Sequence, residues 1–163
     1  NINLDGNIEF NDINLTVIGK LKKDGHTSRL INQLGISESI KFKTNLTKKE
    51  IAEEYAKSSV AIVSSLYEGF GYPVIEAMSC STPLIAANTS SIPELIGDYA
   101  TLIPPRDTKS LTKSIKHIIN NYDQYKSISK KGREHVIKKF NWSKITDEYE
   151  NTIFKAIEEH NKC

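Results

Sequence analysis

The stretch Ser64-Ser65-Leu66-Tyr67-Glu68-Gly69-Phe70-Gly71-Tyr72-Pro73-Val74-Ile75-Glu76-Ala77-Met78 changes character along its length. It follows the apolar run Val60-Ala61-Ile62-Val63, turns on Gly69 and Gly71, and enters a helical pattern. Pro73 is placed at the first helical position, where a missing N–H costs nothing. Strand, glycine loop and helix N-terminus in that order put free backbone N–H groups and the positive end of a helix dipole at the carboxyl edge of a parallel sheet. That arrangement binds phosphate and other anions. Two carboxylates flank it, Glu68 ahead of the glycines and Glu76 one helical turn inside. A carboxylate accepts paired hydrogen bonds from adjacent hydroxyls, so Glu76 suits a ribose diol and Glu68 a sugar hydroxyl.

Taken alone, these features are ordinary. A Gly-x-Gly between strand and helix is a common tight turn, and short glycine motifs have many false positives. A glutamate early in a helix is favoured by the dipole without any ligand. The context therefore has to decide.

Outward from this stretch, short apolar runs alternate with longer amphipathic ones, the pattern of strands and helices in a mostly parallel sheet. Strands are predicted at Leu15–Ile18, Ile40–Phe42, Val60–Ser64, Leu84–Ala87 and Thr101–Ile103. Leu84-Ile85-Ala86-Ala87 and Val60-Ala61-Ile62-Val63 are continuous and apolar, as parallel strands covered on both faces require. Thr47 with Glu50 forms a capping-box pattern opening a helix with Ile51 and Tyr55 on one face. Asp107 or Thr108 caps a helix whose stripe is Leu111, Ile115, Ile118 and Ile119. A helix from about Asp123 to Lys139 follows, and the last opens at Ser143, with Ile145, Tyr149, Ile153 and Ile157 on one face. Three successive helices after the last strand make a C-terminal helical cap. The expected class is α/β, a Rossmann-like parallel sheet sandwiched by helices. Residues 1–14, rich in Asn and Asp, form an irregular N-terminal segment, and residues 15–163 form the domain, its final helix spanning about 143–160.

Composition bounds the function. The chain has 163 residues, enough for one well-cored domain without a metal or disulfide staple. With 22 Lys and Arg against 20 Asp and Glu, the net charge is +2. So balanced a chain offers no strong field for nucleic acid or an anionic membrane. Cys80 and Cys163 form no Cys-x-x-Cys pair, and a reducing cytoplasm is the expected compartment. No apolar run reaches the ~18 residues of a membrane span, and the opening residues lack the features of a signal peptide. His26, His117, His135 and His160 have no ligand-like spacing and read as solvent-facing. Trp142 is expected to anchor the last helix by packing.

The run Glu68-Gly69-Phe70-Gly71-Tyr72-Pro73-Val74-Ile75-Glu76-Ala77-Met78 resembles the Glu, seven residues, Glu motif of retaining glycosyltransferases of the glycogen-synthase and group 1 type, which have the two-domain GT-B fold. The resemblance continues through Cys80-Ser81-Thr82-Pro83-Leu84-Ile85-Ala86, Ile92-Pro93-Glu94-Leu95-Ile96, Leu102-Ile103-Pro104-Pro105-Arg106-Asp107 and Phe140-Asn141-Trp142-Ser143. It covers the chain from about Leu15 to the end and matches the C-terminal, nucleotide-sugar-binding domain. The resemblance implies that Glu76 holds the ribose hydroxyls. It implies that Glu68, as catalytic residue, holds the donor sugar with the backbone of Gly69, Phe70 and Gly71. The N–H groups of Tyr72 and Val74 would face the diphosphate, and the base would lie against Lys43 and Thr44 in the loop after the second strand. No cofactor or metal is implied beyond the nucleoside diphosphate sugar itself.

The chain departs from the family at Ser81, where Gly is usual, at Lys43-Thr44, where Leu-Gly is usual, and at Tyr99, where a small residue is common. The strand and loop carrying the family's diphosphate-neutralising Arg and Lys are not found before Leu15. In the resembling enzymes the last helix crosses to the other domain, so its apolar face here is either partly exposed or folded onto its own sheet.

Two functions follow as expectations. The first is the donor-binding domain of a retaining glycosyltransferase of polysaccharide or glycoconjugate biosynthesis, inactive without its N-terminal acceptor-binding domain. It has no nucleic-acid partner and no transmembrane segment, with room for peripheral membrane contact by the full-length protein. The alternative is a stand-alone, non-catalytic module for nucleotide or nucleotide sugar. A dinucleotide-dependent oxidoreductase is excluded, because only Gly19, and no Gly-x-Gly-x-x-Gly, follows the first strand.

Overall fold

A computed structural model describes residues 13–160. Of the irregular segment read at 1–14, residues 1–12 lie outside the described residues, and Ile13 and Asn14 carry no regular structure. The chain divides between Glu54 and Tyr55 into two compact units.

The first unit opens with β1 (Leu15–Ile18), which pairs in parallel with β2 (Ile40–Lys43), Leu15 beside Ile40 and Ile18 beside Lys43. Between them runs α1 (His26–Leu34), a helix not predicted from the sequence. Its apolar residues are few, and Gly25 at its start contributes no side-chain cap. It ends where Gly35 adopts the left-handed φ of 65° and donates back to Ile31 and Asn32. Lys20, Lys22 and Lys23 lie exposed in the loop before it. α2 (Lys48–Lys57) begins as its sequence demands. Thr47 N–H donates to Glu50 Oε2 at 2.7 Å, and Glu50 N–H donates to Thr47 Oγ1 at 3.3 Å, a reciprocal capping box.

The second unit holds the parallel sheet β3 (Ala61–Val63), β4 (Leu84–Ala87) and β5 (Thr101–Ile103) in the order β3-β4-β5. β4 is central and buried along its whole length, and its side chains alternate between two cores. Leu84 and Ala86 join Ala61, Val63, Val74, Ala77, Met78, Ile92, Leu95, Ile96 and Val136 on one face. Ile85 joins Ile103 and Ile118 on the other, backed by Leu111, Ile115 and Tyr125. The first core is covered by α3 (Tyr72–Ser79), α4 (Ile92–Ile96) and α6 (Tyr122–Lys139), the second by α5 (Thr108–Asn120). β3 and β5 are edge strands of this sheet and bury only alternate residues, with Ile62 38% exposed. Asp107 caps α5 by accepting from the Ser110 N–H at 3.0 Å.

α7 (Trp142–His160) leaves its apolar face exposed, one of the two alternatives expected of it, and departs from expectation only at Trp142. It contains no buried residue: Trp142 is 77% exposed, and Tyr149, Ile153 and Ile157 are exposed as well. Trp142 therefore does not anchor the helix by packing, because it stands largely in solvent. His135 also departs from the solvent-facing reading. Its ring lies 5.1 Å from that of Tyr99, and its Nε2 is buried without a partner among the described residues.

Candidate functional site

The chain leaves β3 at Val63 and enters α3 at Tyr72, and the loop between them carries the predicted site. The two glycines do different work there. Gly71 is the N-cap of α3 at φ +96°, a conformation that L side chains rarely adopt. A Cβ at Gly71 would sit 2.9 Å from Leu95 Cδ1. Gly69 is outside the left-handed region, and a Cβ there would meet nothing within 4 Å. The turn thus rests on Gly71, and Gly69 leaves open space beside the loop. With Gly71 as cap, Pro73 becomes the second helical residue rather than the first, still within the turn that needs no donor.

At the far end of α3, Ser81 closes the helix in the conformation that glycine favours. Ser81 takes the left-handed φ of 54°. Its N–H donates to Met78 O at 2.9 Å, and the Thr82 N–H donates to Ala77 O at 3.1 Å, the two bonds of a Schellman stop. Lys126 Nζ on α6 donates to Ser81 O at 3.0 Å, and the Arg133 guanidinium donates to Ser79 O, placing cations at the negative end of the helix.

At the N-terminus, one expected amide is not available. The Val74 N–H donates to Gly71 O at 3.0 Å, and Val74 is wholly buried. This corrects its placement facing an anion: the Gly71 cap tightens the first turn and uses that donor internally. The Tyr72 N–H precedes the first intrahelical bond and keeps the orientation of an open helix end.

Glu68 is half-buried, and its Oε1 accepts from Ser65 Oγ at 2.6 Å. The loop after β4 reaches across to it. Glu68 N–H donates to Ser90 Oγ at 3.0 Å, and Ser91 Oγ donates to Glu68 O at 3.2 Å and to Phe70 O at 3.0 Å. Thr89 Oγ1 donates to Ser65 O at 3.1 Å. Sequence reasoning missed these hydroxyls, although the polar run Asn88-Thr89-Ser90-Ser91 directly after a buried strand marks the same sheet edge. Phe70 packs its ring 5.0 Å from Tyr72 and edge-on, 5.6 Å, to Phe140, while Tyr67 and Tyr72 stay exposed.

Glu76 lies exposed on α3, near enough to Tyr55 and Cys80 to act on both electrostatically. Burial first, and then the charges of Glu76 and Cys80, push the Tyr55 phenol up to about 12. Burial also raises the Cys80 thiol; Arg133 opposes this and Glu76 adds to it. Cys80 is therefore kept as a thiol and is not an activated nucleophile.

Lys43 and Thr44 belong to the first unit. Lys43 ends β2, accepts a hydrogen bond on its carbonyl from the Gly19 N–H at 2.9 Å, and pairs its Nζ with Glu54 Oε1 at 2.8 Å. Its charge is thus shared with a carboxylate of its own unit. Thr44 is exposed in the loop that follows, beside Asn45 at φ 56°. The other predicted site residues, Glu68, Gly69, Phe70, Gly71, Tyr72, Val74 and Glu76, all lie in the second unit.

Among the described residues no three His, Cys, Asp or Glu side chains gather into a group that could hold a metal ion. No helix of the described residues is long and apolar enough to cross a membrane. Two shallow depressions run along α5, one over Thr108, Thr112 and Lys116, the other between β5 and His117. Neither contains a residue of the glycine loop, so room alone does not mark the site.

Comparison with known proteins places this geometry. The profile of the family "Glycosyl transferases group 1" matches residues 3–135. The MMP alpha-(1->4)-mannosyltransferase of Mycolicibacterium hassiacum is 32% identical over 149 residues, 90% of this chain and 36% of that protein. Among solved structures, sucrose-phosphate synthase from Thermosynechococcus elongatus superposes with a TM-score of 0.76 at 28% identity, over 87% of this chain and 39% of that one. Anabaena HepE, solved with UDP and glucose, gives 0.78 at 21% identity, over 87% of this chain and 40% of that one. The fold is the Rossmann-like parallel α/β arrangement of those proteins. The chain spans well under half the length of each.

Proposed function

The chain belongs to the group 1 glycosyl transferases, and on that premise we propose that it holds the nucleoside diphosphate sugar from which a retaining enzyme transfers the sugar to an acceptor hydroxyl. The observation that carries this reading is the placement of Glu68 and Glu76 before and behind a glycine-capped helix N-terminus at the carboxyl edge of a parallel sheet. The diphosphate sits at the Tyr72 amide and the positive end of α3. Glu76 accepts from the ribose hydroxyls. Glu68, with the backbone of Gly69, Phe70 and Gly71, holds the donor sugar. In transfer the anomeric carbon–oxygen bond breaks, the diphosphate leaves with the electron pair, the acceptor oxygen takes its place on the same face, and the acceptor's hydroxyl proton passes to the departing diphosphate oxygen. The helix end stabilises the departing charge without a required metal ion.

HepE supports the reading, since that protein shares the fold and was crystallised with UDP and glucose. The acceptor-binding half is assigned to a separate N-terminal domain, of the kind the longer relatives have room for. The setting is polysaccharide or glycoconjugate biosynthesis in the cytoplasm. The second reading is a module that binds nucleotide or nucleotide sugar and catalyses nothing. An upstream reading frame encoding a further ~200 residues, one more domain's worth, decides for the enzyme.

Calorimetry with UDP, GDP and ADP tests the site. One of the three binds, and Glu76→Ala weakens it by about 10-fold or more, as loss of a charged acceptor from a ribose diol requires. Unchanged affinity in Glu76→Ala sinks the ribose assignment.

A further inference from the structure

We propose that Ser90 and Ser91, in the loop after β4, are positioning residues that hold the Glu68 loop in its sugar-binding shape. The inference rests on the donor-binding reading above and deepens it. Glu68 is gripped at three points. Ser90 Oγ accepts from its N–H at 3.0 Å, Ser91 Oγ donates to its carbonyl at 3.2 Å, and Ser65 Oγ donates to its Oε1 at 2.6 Å. The Ser91 hydroxyl has one hydrogen and shares it with Phe70 O at 3.0 Å, so a single side chain fixes both sides of Gly69. Thr89 ties the start of the loop through Ser65 O. Glu68 Oε2 receives no hydrogen bond from the described residues and is the oxygen left for a ligand hydroxyl.

The backbone at Ser90 points the same way. Ser90 adopts a left-handed φ of 43°, where glycine is comfortable and serine is strained. A strained residue persists where its surroundings over-determine it, and such residues cluster at functional sites. Glycine would relieve the strain but would remove the hydroxyl that meets the Glu68 N–H. The loop stabilised this way has few other restraints: a Cβ at Gly69 would meet nothing within 4 Å, Tyr67 is exposed, and Phe70, itself 40% exposed, rests its ring on Tyr72 and Phe140. Hydroxyls reaching in from residues more than twenty positions away replace the packing that an exposed glycine loop lacks.

Calorimetry on the chain with matched pairs, UDP with UDP-glucose, GDP with GDP-mannose and ADP with ADP-glucose, separates this role from general stability. The wild type binds the sugar-bearing partner of one pair more tightly than the bare diphosphate. In Ser90→Gly the diphosphate affinity stays within about twofold and the sugar advantage falls about 3- to 10-fold, the loss expected for one hydrogen bond. The unfolding temperature of Ser90→Gly stays close to that of the wild type, because the backbone strain relieved offsets the hydrogen bond lost and the added freedom of the unfolded chain. Ser91→Ala shows the same split, and Ser91→Thr, which keeps the hydroxyl, restores it. Variants that keep the full sugar advantage overturn the positioning role and leave the donor-binding reading intact. An equal loss for both partners of a pair, or a clear drop in the unfolding temperature of Ser90→Gly, assigns the hydroxyls to general stability and also overturns it. A wild-type chain that binds none of the six compounds refutes the donor-binding reading itself, and the positioning role with it.

Discussion

Gly69 and Gly71 look equivalent in the sequence, and the structure predicts opposite consequences for changing them. Gly71→Ala forces an L side chain to φ +96°, outside the left-handed well near 50–70°. That strain costs about 1–3 kcal/mol. The new Cβ meets Leu95 Cδ1 at 2.9 Å, and Leu95 is buried, so its methyl moves only by leaving a good rotamer, at about 0.5–1.5 kcal/mol. Removing a glycine from the unfolded chain returns about 0.5–1 kcal/mol. The net destabilisation is about 2 kcal/mol, or about 4–8 °C in unfolding temperature for a chain of this size. Gly69→Ala meets nothing within 4 Å and has no left-handed φ, so its stability stays within about 0.5 kcal/mol of the wild type. Its Cβ instead fills the space assigned to the donor sugar, so sugar-nucleotide affinity falls while stability holds. Urea unfolding followed by far-ultraviolet circular dichroism measures both variants. Tryptophan fluorescence does not serve, because the single Trp is already 77% exposed. Equal destabilisation by the two alanines, or a Gly71→Ala cost under about 0.5 kcal/mol, would refute the division of labour between them.

Three further outcomes follow from the packing around α3 and α5. Ser81→Gly removes a left-handed strain of about 1–2 kcal/mol and adds about 0.5–1 kcal/mol of unfolded-chain entropy, so thermal unfolding moves slightly upward. A fall in its unfolding temperature contradicts the strain. Alkaline titration of the seven tyrosines by ultraviolet absorbance shows one phenol ionising near 12, and Tyr55→Phe deletes that step. Because the folded value is raised, the contribution of the neutral phenol is complete below its ordinary ionisation near 10 and is lost as the pH climbs through about 12. Glu76→Gln lowers this step only in part, since burial is the larger cause. The hydrogen bonds from the Ser110 hydroxyl and N–H hold the Asp107 carboxyl below the usual carboxylate range, so its contribution is present above that range and lost as the pH falls through its lowered value. Asp107→Asn keeps a capping oxygen while removing the charge, so acid unfolding curves of the variant flatten in that window. Superimposable curves for the two proteins would show that the cap is not titrating.

What was legible in the sequence is what local chemistry dictates. β1, β4 and β5 fall where short apolar runs place them, and β3 is shorter than its run because only its middle pairs with β4. Thr47 with Glu50 and Asp107 with Ser110 make their caps, since both partners lie three residues apart. The carboxylates Glu68 and Glu76 lie in the loop and on the helix where the motif puts them. α1 was not legible because its apolar face is short and its start has no capping side chain. The use of the Val74 amide depends on the Gly71 cap and has no sequence signature of its own. The hydroxyl clamp on Glu68 joins residues more than twenty apart, and no pattern in one chain reports such a pairing. Exposure along α7 was one of two alternatives left open, since an amphipathic stripe shows which face is apolar without showing what covers it.

The balance of charge acquires a physical meaning once the site is placed. A nucleoside diphosphate sugar is anionic, yet the two side chains assigned to it are carboxylates. Like charges within a few ångströms repel strongly in a partly desolvated site, so neither glutamate can serve the phosphates. The order along the chain answers this. Glu68 precedes the helix end and Glu76 lies one turn beyond it, which leaves the N-terminus of α3 between them as a source of positive potential. A dipole made of peptide groups adds nothing to the net charge, so a chain at +2 can still present an anion site. In the proposed donor site the carboxylates are then free to face hydroxyls, which would reward them with charge-assisted hydrogen bonds at both ends of the ligand. The same logic gives the serine clamp its place: a carboxylate held close to an anion must be aimed away from it, and hydroxyls, being uncharged, fix that aim without disturbing the field of the helix.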